Sequence, residues 1–131
     1  PLINYCYALN RYLLLSEVTM SQPVNKQDPM YQLLKHGQVN EFNQRRSAGE
    51  ACNLENADLR SVDLRELDAK DLSLAGAYLR HADLRGLDLR LTNLEGASIS
   101  GAKISGTYFP SSLSAEEITL SLVHGTRLRT S

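Results

Sequence analysis

The sequence predicts a β solenoid of about three stacked coils, closed at both ends by short helices. Apolar residues recur at every fifth position through the middle of the chain, and the residue two places before each is also small or apolar. In an α-helix a spacing of five turns about 140°, which would scatter these side chains around the axis. In a flat strand the same spacing alternates between opposite faces. The chain must therefore turn within every five residues.

Twelve consecutive five-residue units carry such an apolar centre, and these centres form the predicted core. Because residues i−2 and i of an extended segment share a face, each unit is predicted to be a very short strand with two inward side chains. Glycine ends five of the units, where a turn often requires positive φ. Besides the small centre Ala69, the predicted core comprises Leu54, Leu59, Leu64, Leu74, Leu79, Leu84, Leu89, Leu94, Ile99, Ile104 and Phe109.

The repeat is most self-similar at a shift of twenty residues. Residues 57–71 match the sequence twenty residues later at eight of fifteen positions, against seven for a shift of twenty-five and four for fifteen. Four units per coil would give three coils over residues 52–71, 72–91 and 92–111. With about 4.8 Å between stacked strands, the solenoid would be only about 15 Å long.

The tandem A(D/N)LXX pattern, ADLRS at 57–61 and ADLRG at 82–86, resembles the pentapeptide repeat family. Consecutive matches cover residues 52–111. The resemblance implies a right-handed quadrilateral β-helix with four pentapeptides per coil. The ending SAEEI…HGTR resembles small bacterial proteins of this family, which implies a cytoplasmic bacterial setting.

The regions on either side of the repeat are predicted to cover its open ends. The chain of 131 residues is long enough for one domain, divided here into an upstream segment (1–19), an N-terminal helical cap (20–51), the repeat (52–111) and a C-terminal helical cap with its tail (112–131). We expect Met20 to be the natural start, and the tail TRLRTS to be mobile.

Turn and capping residues predict where the cap helices begin and end. Asp28 and Pro29 form an N-cap followed by proline in the first turn, and this helix ends at Gly37. Val39 and Phe42 indicate a second short helix, which ends before Gly49. After the repeat, residues 114–117 form a capping box, and Gly125 closes the helix that follows.

Composition and motifs favour a protein without catalytic, metal-binding or cofactor-binding residues. His36, His81 and His124 are scattered without metal-ligand spacing, and no phosphate loop, nucleophile elbow or dinucleotide fingerprint occurs. Cys6 and Cys52 are expected to be reduced thiols, with Cys52 facing inward. The apolar run 5–15 is short for a membrane span, so no membrane association is expected.

Outward positions carry the candidate interaction surface, which we call the cationic wall. Aspartates two positions before several of its cations can offset their charge through surface ion pairs. The wall is therefore either a self-neutralised solvated surface or a surface for an anion or acidic partner. Its members are Arg60, Arg65, Lys70, Arg80, Arg85 and Arg90.

The predicted function is a non-enzymatic scaffold that binds a protein partner of unknown identity through its outer faces or end helices. The alternative is a DNA-mimic modulator of a type II topoisomerase such as gyrase, which the resemblance implies for some long members. Residues 51–110 carry nine acids and seven bases, too balanced for a DNA-like charge. The net charge of −1 also makes nucleic-acid binding an unfavoured function. A homodimer through the end helix, or through Tyr78 and Tyr108, is a further expectation.

Overall fold

The computed structural model describes residues 27–131, which form a column of stacked coils covered by helices at its two ends. The helices in this range are α1 (Pro29–Lys35), α2 (Val39–Ser47) and α3 (Ala115–His124). The expectations about residues 1–19, Met20 and Cys6 lie outside the described residues.

Successive coils pair through single residues that lie twenty positions apart. The Leu79 N–H donates to the Ser98 carbonyl at 2.8 Å, and the Ser98 N–H donates to the Ala77 carbonyl at 3.0 Å. The same parallel pattern recurs down the column, so the twenty-residue period is confirmed. The isolated bridges of the described residues are Asp58–Tyr78, Asp63–Asp83, Ser73–Asn93, Tyr78–Ser98, Asp83–Lys103 and Asp88–Tyr108.

The prediction of a short strand in every unit needs correction, because pairing in residues 27–131 stops at these isolated bridges. A turn begins directly after each centre up to Ile104 and leaves no room for a longer ladder. In the turn after Leu79, the Ala82 N–H donates back to the Leu79 carbonyl at 3.0 Å, and His81 between them has φ 60°. Positive φ at the third residue is the mark of a type II turn.

Positive φ at the last residue of a unit is confirmed at the five glycines and extends to residues that sequence did not single out. Gly86 has φ 75°, and a Cβ built there would meet nothing within 4 Å. Leu91 departs from the pattern: its φ is not positive, and its side chain is 60% exposed. A bulky side chain is strongly disfavoured at positive φ, which accounts for the different turn. The non-glycine residues with positive φ are Asn56, Ser61, Glu66, Asp71 and His81.

The predicted centres fill the inside of the column. Leu59, Leu79 and Ile99, which occupy one position in three successive coils, are each 0% exposed. Ile104 and Phe109, on the last coil, are partly buried and pack against this core. Two inward polar side chains are satisfied within the column. The Thr92 hydroxyl donates to the Ala69 carbonyl at 2.8 Å, and Thr107 bonds in the same way to the coil before it.

The N-terminal cap supplies side chains where the first coil lacks a preceding one. The Tyr31 hydroxyl donates to the Asp58 carbonyl at 2.8 Å. Asn43 donates to the Glu66 carbonyl at 2.8 Å and accepts from a backbone N–H of the fourth unit, residues 67–71, at 2.9 Å. Arg46 donates to two further carbonyls of that unit. Backbone groups at an open coil end need such partners.

Both predicted N-caps are confirmed. The Asp28 carboxylate accepts from the Met30 N–H at 2.8 Å, with Pro29 in the first turn of α1. The Ser114 hydroxyl accepts from the Glu117 N–H at 3.1 Å at the start of α3. Gly125 ends α3 in the left-handed conformation, as its position predicts.

The expectation of a mobile C-terminal tail is wrong. Leu128 is 0% exposed, donates its N–H to the Ala97 carbonyl and accepts from the Gly96 N–H, both at 2.8 Å. Arg129 forms an ion pair with Glu117 at 2.6 Å. The basic composition of the tail gave no sign that Leu128 would cover the last coil and satisfy its backbone groups.

Candidate interaction surface

Four arginines of the cationic wall fold back onto the aspartate two residues earlier. The Arg60 Nε lies 2.7 Å from Asp58 Oδ1, and the Arg85 Nη2 lies 2.7 Å from Asp83 Oδ2. Arg65 and Arg90 make the same two-pronged contact with their own aspartates at 2.8 Å. In each of these units the aspartate and the arginine stand on either side of the inward centre in sequence, so both side chains reach the outer face. There the guanidinium and the carboxylate can form two parallel hydrogen bonds.

The pairs hold the aspartates in their charged form. The side-chain hydrogen bond from Arg85 lowers the pKa of Asp83 to about 2, and that from Arg90 lowers the pKa of Asp88 to about 2. Arg65 also reaches across to Asp83 at 3.4 Å, so neighbouring coils share charges. At neutral pH most of the wall is therefore ion-paired and self-neutralised.

The pairing pattern stops at Lys70 and Arg80. Neither makes an ion pair with any carboxylate in the described part of the chain. At Lys70 the aspartate is present, but it accepts from the Lys70 backbone N–H at 3.3 Å. At Arg80 the aspartate position holds Tyr78, which has no carboxylate to offer. Arg80 thus projects an uncompensated charge from the second coil.

An arginine from the tail joins this unpaired region. The Arg127 guanidinium carbon lies 4.8 Å from the centre of the Tyr78 ring, and Arg127 also donates to the Gly96 carbonyl at 2.7 Å. Sequence reasoning missed Arg127, because no spacing rule brings residue 127 beside residue 78. From sequence, Tyr78 was considered only as a candidate for a dimer interface. The break in the aspartate pattern at Tyr78 was the signal that could have indicated the site.

The other predicted special residues have ordinary surroundings. His81 is exposed at an outward turn, and its ring nitrogen lies 3.4 Å from Arg80 Nε. His124 lies in the last turn of α3. Cys52 is a free thiol, half-buried, and burial raises its pKa. Residues 27–131 contain no group of three potential metal ligands, and no helix among them is long and apolar enough to cross a membrane.

Large apolar side chains also reach the surface outside the wall. Val123 on α3 is 63% exposed and Leu120 is 37% exposed. Tyr108, which is 59% exposed, lies under the Arg90 guanidinium at 5.0 Å. These side chains give the end helix and one face of the last coil an apolar character.

A column of twenty-residue coils, with an inward apolar centre in every five residues and positive φ at the end of most units, defines a repeat protein built from pentapeptides. The family model for pentapeptide repeats matches residues 73–109, in eight copies. The prediction that this chain carries pentapeptide repeats is thereby confirmed. Comparisons with curated proteins and with solved structures found no match.

Proposed function

We propose that this protein is a non-enzymatic repeat scaffold that binds another protein through its outer faces or end helices. The observation that supports it is the filled interior. Leu59, Leu79 and Ile99 occupy the same inward position of successive coils, and all three are 0% exposed. A column filled by its own side chains has no internal room for a substrate. Any binding must therefore use the outside.

The pentapeptide repeats further support a right-handed, four-sided β-helix for the column, since repeats of this family form right-handed β-helices. We also propose that the protein acts in the bacterial cytoplasm and that it can form a homodimer. The exposed Leu120 and Val123 on α3 and the exposed Tyr108 favour such an interface.

Ion pairing favours a protein-binding scaffold over a topoisomerase-directed DNA mimic. A DNA mimic needs rows of unpaired carboxylates, whereas Asp58, Asp63, Asp83 and Asp88 each lie within 2.8 Å of an arginine. We expect no inhibition and no protection in a gyrase supercoiling assay. Clear inhibition or protection of gyrase at low micromolar protein would favour the DNA mimic over the scaffold.

Crosslinking in cells tests the scaffold and identifies its partner. The full chain is compared with a variant in which Arg60, Arg65, Arg80 and Arg85 are changed to alanine, and with a matched variant in which all four are changed to lysine. We expect a protein that crosslinks to the full chain and is lost or weakened with the alanine variant. Lysine keeps the charge but loses the planar fork, so partial retention is expected there.

Purification of the crosslinked protein and reconstitution of the complex from pure components complete the test. A direct complex of defined stoichiometry supports the scaffold. A bound small molecule that is turned over by the purified chain would contradict it.

A further inference from the structure

One groove on the outside of the column is lined by Arg80, and Arg127 lies on the Tyr78 ring that also lines it. Its volume is about 520 Å³, and it lies between the second face of the coils and the C-terminal end of α3. Its lining includes Arg60, Tyr78, Arg80, Ser100 and Val123. A volume of this size accommodates several side chains of a bound segment.

The charges around this groove do not cancel. Arg60 is paired with Asp58 at 2.7 Å, so this pair contributes little net charge. Arg80 lines the groove, and Arg127 lies on the Tyr78 ring that lines it. Within residues 27–131 neither Arg80 nor Arg127 forms an ion pair with a carboxylate. The groove therefore presents the Arg80 guanidinium, whose charge no carboxylate offsets. Beside it lies the Arg127 guanidinium, which donates to the Gly96 carbonyl and the Tyr78 hydroxyl but to no carboxylate.

The rest of the lining indicates which kind of anion fits. Val123 is 63% exposed and Tyr78 offers an aromatic ring, so apolar contacts lie beside the two guanidinium groups. The carbonyl end of α3, where His124 and Gly125 line the groove, carries partial negative charge. This end opposes a dense, multiply charged phosphate more than it opposes single carboxylates. A polypeptide that carries carboxylates beside an apolar residue satisfies both conditions.

We propose that this groove, which we call the Arg80 groove, binds an acidic segment of a partner protein, with Arg80 and Arg127 contacting its carboxylates and Val123 and Tyr78 its apolar side chain. The proposal rests on the proposed scaffold function and identifies the part of the outer surface that recognises the partner. Over the rest of the cationic wall, four of the other five cations are held by aspartates, which compete with any incoming carboxylate.

Fluorescence anisotropy of the full chain tests the groove with a defined probe. The probe is a fluorescein-labelled Gly-Glu-Leu-Glu-Gly-Glu-Gly peptide, and its control has Gln in place of every Glu. We expect the Glu peptide to bind in low salt and more weakly as salt rises, and the Gln peptide to bind at least fivefold more weakly.

Substitutions separate the groove from the general charge of the wall. Arg80→Gln and Arg127→Gln should each weaken binding of the Glu peptide at least fivefold. The matched control is Arg85→Gln, which changes the net charge equally but removes an arginine already paired with Asp83. Its effect should stay below twofold. Circular dichroism and urea midpoints close to those of the unaltered chain will show that the variants are folded.

Three results would overturn the groove. They are equal weakening by Arg85→Gln and Arg80→Gln, equal binding of the Gln peptide, and tighter binding of an oligothymidylate of the same charge than of the Glu peptide. Cell crosslinking then separates this failure from failure of the scaffold. If Arg80→Gln protein keeps every partner of the unaltered chain, the groove is wrong and the scaffold stands.

Discussion

Shortening Leu79 to alanine should destabilise the protein strongly, because this residue lies in the middle coil with buried residues on both sides. Leu79 is 0% exposed, as are Leu59 and Ile99 in the same position of the coils before and after it. The substitution removes three carbon atoms, which costs about 2.5 kcal/mol in lost transfer free energy. A cavity of about 80 Å³ that cannot collapse adds about 2 kcal/mol. We expect Leu79→Ala to lower the free energy of unfolding by about 4.5 kcal/mol.

Urea unfolding followed by circular dichroism measures this loss, with Leu91→Ala as the matched control. Leu91 ends the same coil but is 60% exposed, so its truncation should change stability by less than about 0.5 kcal/mol. A loss below about 1 kcal/mol for Leu79→Ala, or similar losses for both variants, would refute the filled interior.

Three further predictions concern the cap, the turns and the surface pairs. Asn43→Ala removes two hydrogen bonds to the first coil and should lower the free energy of unfolding in urea by about 1–2 kcal/mol. The control Gln44→Ala changes an exposed neighbour and should be nearly neutral. Equal effects of the two substitutions would exclude this capping role. Gly86→Ala places a Cβ at φ 75° in open space and should cost about 1–2 kcal/mol from backbone strain alone, and a loss no larger than that of Ser105→Ala would contradict it. The folded pKa of Asp83, about 2, lies below its unfolded value of about 3.9, so its stabilisation is complete above about pH 5 and is lost as the pH falls toward 2. The unfolding midpoints of Asp83→Asn and the unaltered chain should therefore converge as the pH falls. A difference that grows on acidification would show that the ion pair does not stabilise the folded chain through the charged form of Asp83.

The repeat was predictable from sequence because one backbone requirement recurs in every unit. An inward residue such as Leu79, a small or apolar residue two places earlier and a residue such as Gly86 at positive φ are each visible in the pattern. The cap helices were predictable for a similar reason, since Asp28 and Ser114 carry local N-cap signals. All of these depend on neighbours within a few residues.

What sequence could not supply depends on contacts between distant parts of the chain. Leu128 is one leucine in a basic tail, and only the open end of the last coil gives it a place to be buried. Asn43 satisfies backbone groups 23 and 25 residues away, which no local rule anticipates. Arg127 meets the Tyr78 ring across 49 residues, so the Arg80 groove could not be assembled from spacing.

Methyl-resolved nuclear Overhauser spectroscopy would test the stacked interior most directly. The account predicts contacts among the methyl groups of Leu59, Leu79 and Ile99, which lie twenty residues apart in sequence and share one position in the column. Contacts at spacings of three and four residues through residues 52–111, with none at twenty, would contradict it, since those are the neighbours on a helix surface.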